Sequence, residues 1–164
     1  MKIELFIDHW REYEDSLYLI VLKQLTWGRA KQYCSNKGAN LVDVGTRNES
    51  DYINSQMRLV GNKRERFWIA VNDLKLENKF VSSDGSNQTF FNWDHDEPNQ
   101  YEGNEDCVEV RLDRNGRWND VPCNIRKSFV CEKREGMYIS SRAYHNVMVG
   151  SLNLHMLKIP PLLF

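Results

Sequence analysis

The sequence has no excess of basic residues: 22 Lys and Arg stand against 23 Asp and Glu. A nucleic-acid binder turns a basic face towards phosphates, so this balance argues against that class of partner. No two cysteines are spaced C-x-x-C, which makes zinc ribbons and thioredoxin-like motifs poor fits. The opening MKIELFIDHWREYED carries acids and lacks a continuous apolar stretch, so it does not read as a signal peptide. The apolar residues from Val147 onwards are interrupted by Asn153, His155, Lys158 and two prolines, and no membrane span is expected. No internal repeat and no coiled-coil neck is visible. One window lacks one sign of charge altogether. From Asp94 to Glu109 there are seven carboxylates (Asp94, Asp96, Glu97, Glu102, Glu105, Asp106, Glu109) and no Lys or Arg.

What is present fits an ordinary globular chain. The 164 residues are 41% hydrophobic and include five Trp, enough for a real core that disulfides would reinforce rather than replace. The four cysteines, Cys34, Cys107, Cys123 and Cys131, allow three pairings, and their order alone does not choose among them. Asn48-Glu49-Ser50 and Asn87-Gln88-Thr89 are N-glycosylation sequons. Even cysteine count and sequons together point to an oxidising, extracellular setting. The opening residues point the other way. Either the chain is a mature or truncated fragment, or it is cytosolic with free thiols.

Residues 1–25 read mostly as strand, with Ile3, Leu5 and Ile7 alternating and SLYLIVL forming an apolar run. Thr26 is a candidate N-cap for a helix carrying Trp27, Ala30, Lys31 and Cys34 on one face, with Gly38 as its stop. Leu41-Val42 is a short strand candidate. Thr46-x-x-Glu49 fits a capping box, followed by a helical stripe of Tyr52, Ile53, Gln56, Met57 and Val60. Further strands are expected over Phe67–Val71, Cys107–Leu112, Arg117–Val121 and Ser128–Cys131, with a tight turn at Asn115-Gly116. Between them, about 35 residues up to Asp106 are rich in Asn, Asp, Ser and Gly. A loop that long is commonly functional or disordered. Phe80, Phe90, Phe91 and Trp93 argue against disorder, so something besides a core is expected to anchor it.

Ca²⁺ takes about 6–8 oxygen ligands from carboxylates, amide carbonyls and water. Glu97, Asn99, Glu105, Asn119 and Asp120 are such donors, and an ion among them would neutralise the pooled charge. A side-chain amide can give its oxygen to a metal and its NH₂ to a ligand, while a carboxylate can accept a hydroxyl hydrogen. Glu97 and Asn99, flanking Pro98, therefore offer an acceptor and a donor to two vicinal sugar hydroxyls. A solvated face is the ordinary reading of an acidic run, but this one is interrupted by Pro, Gly, Asn and Cys. Glu97 and Glu105 as a glycosidase pair is the catalytic alternative. Nothing in the sequence specifies the raised pKa which that role needs. His95 reads as a surface residue and Cys34 as structural.

These residues resemble the C-type lectin-like domain from about Trp10 to Lys133. The resemblance rests on LTWGRAKQYC, GANLV, FWIAVND, EPN, NEDC, WNDVPC and FVCEK. It implies an α+β fold of two helices with small antiparallel sheets and a long Ca²⁺-binding loop. The expected organisation is an N-terminal extension over 1–9, the lectin domain over 10–133 and a tail over 134–164. The implied disulfides are Cys34–Cys131 and Cys107–Cys123. The implied principal Ca²⁺ ligands are Glu97, Asn99, Glu105, Asn119 and Asp120, with sugar held by Glu97, Asn99, Glu105 and Asn119. Pro98 resembles the family's cis-proline. EPN resembles the signature for mannose, N-acetylglucosamine or fucose, bound through equatorial 3- and 4-hydroxyls. The implied partners are glycans on cell or microbial surfaces, bound without catalysis by a secreted glycoprotein modified at Asn48 and Asn87. The alternative is a module of the same fold that binds protein and uses Ca²⁺ structurally.

An auxiliary Ca²⁺ site would use Asp73, Glu77, Asp106 and the Glu105 carbonyl. Here the sequence departs from the family pattern, with Gln100 where many relatives carry Asp or Asn. Leu17 stands where long-form members have a cysteine, Ala70 replaces a glycine, and the tail has no counterpart. An incomplete or mis-joined gene product is the expectation from the missing leader and this tail.

Overall fold

The computed structural model describes residues 9–134. The strand expected over Ile3, Leu5 and Ile7 lies outside them, as does the tail beyond Arg134. The described residues form two helices and seven strands, an α+β architecture. Strands β1 (Arg11–Tyr13) and β2 (Ser16–Leu25) make a hairpin that turns through Glu14 at a left-handed φ of 50°. β2 pairs antiparallel with β7 (Lys127–Arg134), as does the short β3 (Asn40–Leu41). β4 (Arg66–Asn72), β5 (Cys107–Arg111) and β6 (Arg117–Val121) form an antiparallel run. Parallel pairing of β4 with β7 joins these groups into one sheet, so the expected antiparallel sheets are continuous.

Alternation along the central strands sorts the core onto two faces. Tyr18, Ile20, Phe67, Ile69 and Val71 pack with Ile53 and Met57 of helix α2 (Arg47–Val60). Leu19, Val21, Trp68 and Ala70 pack with Trp27, Ala30 and Cys34 of helix α1 (Trp27–Ser35). Covering both faces explains why SLYLIVL and FWIAV are continuous apolar runs rather than strict alternations. Cys34 bonds Cys131, fastening α1 to β7, and Cys107 bonds Cys123 across the far end of β6.

The two helix starts differ from each other. Thr46 Oγ1 accepts from Glu49 N–H at 3.2 Å, as the capping box requires, and Glu49 returns its carboxylate to Gly45 N–H at 2.8 Å. Thr26 occupies the N-cap of α1 but makes no side-chain cap bond. The first-turn donor Trp27 N–H is taken instead by the Cys123 carbonyl at 3.1 Å. Ahead of β6, Asn115 and Gly116 both adopt left-handed φ values, 57° and 76°. A Cβ on Gly116 would also meet the Asn54 amide.

The long loop is held by core contacts and, besides these, by buried hydrogen bonds. Phe80 and Trp93 pack on the α2-side core, with ring centroids 4.9 Å apart, and Trp93 sits 5.9 Å from Trp118. Two buried amides substitute for missing ladder bonds. Gln88 Nε2 donates to the Val44 carbonyl at 2.6 Å, and Asn92 Nδ2 donates to the Gly116 carbonyl at 2.8 Å. Trp118 N–H then donates to the Asn92 carbonyl and Asp94 N–H to the Trp118 carbonyl, at 2.9 and 2.8 Å. Residues 92–94 therefore run beside β6, and the chain emerges at Glu97 next to Asn119 and Asp120.

Candidate functional site

β6 delivers Asn119 and Asp120, and its register with β5 sets Asn119 opposite Glu109 and Asp120 opposite Val108. Asp120 is wholly buried, so its carboxylate needs internal partners. It finds them in the loop, accepting from Asn99 N–H at 3.2 Å and Gln100 N–H at 3.0 Å. Those two residues follow a cis Glu97-Pro98 peptide. Asn99 Nδ2 donates to Glu97 Oε2 at 2.6 Å, so the expected donor and acceptor lie side by side and satisfy each other. Tyr101 N–H is shared between Asn99 Oδ1 at 2.9 Å and Glu105 Oε2 at 2.7 Å. One network thus joins Glu97, Asn99, Glu105 and Asp120.

Its charge is crowded. Burial, then the charge and hydrogen bond of Asp120, then Glu105, push the Glu97 carboxyl up to about 7. Glu105 is also raised, chiefly by burial and then by Asp120 and Glu109, against the lowering effect of the Tyr101 N–H. The Asn119 amide faces Glu97. With its oxygen turned that way two acceptors oppose each other, and Nδ2 donates to Glu109 Oε1 at 3.3 Å. Turned over, the amide nitrogen donates to Glu97 Oε2 at 3.1 Å.

Three of the seven pooled carboxylates have a basic neighbour: Asp94, Glu109 and Asp96, the last beside His95. Asp94 lies 3.6 Å from Arg111 and 3.8 Å from Arg114, and Glu109 lies 2.6 Å from Lys127. Among the described residues no ion pair closes on Glu97, Glu105, Asp106 or Asp120. Hard oxygen donors crowded without a cation of the chain are the composition that Ca²⁺ takes. Among the described residues no three His, Cys, Asp or Glu side chains gather as a metal cluster by themselves, so such a shell needs the amide oxygens of Asn99 and Asn119.

The other expected site begins where β4 ends. Asp73 is 2% exposed, and its N–H donates to the Asp106 carbonyl at 3.1 Å. Its Oδ2 accepts from Asn78 N–H at 2.8 Å and from Gln100 Nε2 at 3.3 Å, while Oδ1 is buried without a hydrogen-bond partner. Burial raises the Asp73 carboxyl most, the Asn78 N–H lowers it, and Glu77 and Asp106 raise it further. Glu77 itself is exposed and Asp106 half-buried.

A family model described as the Lectin C-type domain matches residues 23–133. The chain belongs to the C-type lectin domain family. The mouse C-type lectin domain family 4 member G is 34% identical over 133 residues, covering 79% of this chain and 43% of the relative. Human C-type mannose receptor 2 is 34% identical over 125 residues, covering 76% of this chain but 8% of the relative. The chain thus spans less than half the length of these two curated relatives. The mouse scavenger receptor C-type lectin carbohydrate-recognition domain superposes with a TM-score of 0.71 at 30% identity, covering 80% of this chain and 98% of that one. The family generally binds carbohydrate with Ca²⁺ and is not enzymatic. A carboxyl raised like Glu97 would also suit a glycosidase acid, and family membership sets that alternative aside.

Of the expected residues of this C-type lectin domain, Glu97, Asn99, Glu105, Asn119 and Asp120 come together, and Asp73 and Asp106 meet beside them. The sequons Asn48 and Asn87 are both exposed. One contributor escaped sequence reasoning. Glu109, buried at 3% exposure, stands opposite Asn119 in the β5–β6 register, and its signal was a lone carboxylate inside an apolar strand. Gln100, noted as a departure from the family pattern, turns out to bond to both expected sites. The two disulfides fit an oxidising, extracellular setting. No helix among the described residues is long and apolar enough to cross a membrane.

Proposed function

We propose that the chain binds mannose-type glycans through a Ca²⁺ held by Glu97, Asn99, Glu105, Asn119 and Asp120, the last also through its carbonyl. The observation that carries this reading is the gathering of Glu97, Asn99, Glu105 and Asp120 in one hydrogen-bonded network, whose crowding and burial also push the Glu97 carboxyl up. A proton there relieves the repulsion that a bound cation would relieve better. When bound, the ion coordinates two vicinal sugar hydroxyls directly. The chain's own part is to orient them. Glu97 and Glu105 accept hydroxyl hydrogens, and the amides of Asn99 and Asn119 donate to the hydroxyl oxygens. Asn99 Nδ2 donates to Glu97 Oε2, and a ligand hydroxyl between them would accept from the amide and donate to the carboxylate, two bonds in place of one. Glycans on cell or microbial surfaces are the proposed partners, met by an extracellular protein glycosylated at the exposed Asn48 and Asn87.

The test is retention on mannan resin in Ca²⁺, followed by EDTA and by free mannose. Retention in Ca²⁺ with release by both agents is expected, and retention that ignores EDTA would remove the metal from the account. In the same assay the double variant Glu97→Gln, Asn99→Asp exchanges acceptor for donor and is expected to move from mannan to a galactose resin. Unchanged mannan preference in that variant would show that the hydroxyl pairing is misassigned.

A further inference from the structure

Every polar group of Gln100 is engaged, and its partners come from three parts of the fold. The backbone N–H donates to Asp120 Oδ2 on β6 at 3.0 Å, and the carbonyl accepts from Gly103 N–H at 2.7 Å. The side-chain Nε2 donates to Asp73 Oδ2 at 3.3 Å and to the Glu105 carbonyl at 3.2 Å. Its Oε1 accepts from Glu105 N–H at 3.2 Å. The residue does this from a left-handed backbone, φ 50° and ψ 43°, which a side chain other than glycine adopts only at a cost that these bonds offset.

Asp73 and the Glu105 carbonyl are two of the groups that the family resemblance assigns to an auxiliary Ca²⁺. Gln100 presents an NH₂ to both. Asp73 Oδ2 and the Glu105 carbonyl thus each face the positive end of an N–H dipole, which repels a cation brought to the same oxygens. For the amide to become a ligand it would have to turn over, losing the Glu105 N–H bond. The residues here therefore do not fit the auxiliary ion. We propose that Gln100 is a built-in amide latch that takes that ion's place, pinning the start of the long loop at Asp73 to its end at Glu105. Resting on the reading of Glu97, Asn99, Glu105, Asn119 and Asp120 as the principal site, the latch positions that site. The amide holds the Glu105 backbone, and the backbone N–H of the residue so fixed donates to the Asp120 carboxylate.

An aspartate at this position could not donate. It would add a carboxylate beside Asp73, whose Oδ1 is already buried without a partner, and the crowd would then need a cation. Calcium stoichiometry, measured by native mass spectrometry and calorimetric titration of the full chain, separates the two arrangements. Gln100→Asp is expected to bind one more Ca²⁺ than the unaltered protein, as two against one. Equal counts would overturn the latch. An unaltered protein that binds none while Gln100→Asp binds one would support the latch and refute the principal-site reading, so the two failures are distinguishable. Gln100→Ala provides a test that does not depend on the aspartate variant folding. In EDTA its 97–106 segment is expected to exchange amide hydrogens about tenfold faster than in the unaltered protein. Identical exchange would show that the amide holds nothing.

Discussion

Glu97 sets the pH response of the site at the scale of one residue. Its carboxyl ordinarily titrates near 4.5 and is pushed up to about 7 in the fold by burial and by Asp120 and Glu105. Between those values the folded chain without metal binds a proton that the unfolded chain has lost. This group's contribution therefore makes the metal-free protein less stable as pH rises through that window. Glu105 and Asp73, raised for the same first reason, act in the same direction. Calcium reverses the preference, because it requires the ionised form. Calcium affinity is expected to fall about tenfold per pH unit below 7 while one proton competes, and titration calorimetry at pH 7.5 and 5.5 measures it. Affinity that stays flat over that range would remove Glu97 from the shell. Glu97 as a proposed donor could be read from EPN in the sequence. Its raised pKa could not, because it arises first from burial and then from Asp120, which is distant in sequence and arrives on β6.

At the scale of elements, the two helix starts show what a sequence motif can promise. Thr26 and Thr46 both read as N-caps, but only Thr46 supplies the side-chain bond. The competing partner of the first turn of α1 is the Cys123 carbonyl, brought there by the loop after β6. Thr46→Ala is expected to lose about 1 kcal/mol of stability, and Thr26→Ala no more than about 0.5 kcal/mol. Urea unfolding at fixed Ca²⁺ gives both values, and equal losses would contradict the difference between the caps. The strands were legible as apolar runs. The parallel contact of β4 with β7 was not, because pairing direction depends on how the chain returns and not on either strand's composition. Anchoring of the long loop was half legible. Its aromatics were visible in the sequence, but Gln88 and Asn92 became anchors only because Val44 and Gly116 lie within reach of them.

For the whole molecule, the two disulfides do different work. Cys34–Cys131 spans 97 residues and ties the first helix to the last strand, whereas Cys107–Cys123 spans 16 and encloses the turn that leads into β6. On the loop-entropy estimate, removing the first costs about 4–5 kcal/mol and removing the second about 3 kcal/mol. Paired Cys→Ser variants unfolded in urea are expected to follow that order. The second pair should also weaken Ca²⁺ binding in calorimetry, since it holds Cys107 and Cys123 at opposite ends of the segment carrying Asn119 and Asp120. A larger loss from the short loop would mean that native packing around it outweighs chain entropy.

The sequence by itself determined the family, the candidate donors and the cysteines available for pairing, because these depend on which side chains exist and at what spacing. Only the tertiary structure decided which donors are crowded, which are already neutralised and which amide faces which carboxylate. Asp94 and Glu109 belong to the same acidic window as Glu97, yet Arg111, Arg114 and Lys127 neutralise those two alone. Gln100 is the sharpest case. In the sequence it is a ligand position with a longer arm, and in the fold its NH₂ is aimed at the two oxygens that an ion would need. Hydrogen bonding and charge act over a few ångströms, and only folding sets distances on that scale between residues far apart in the chain.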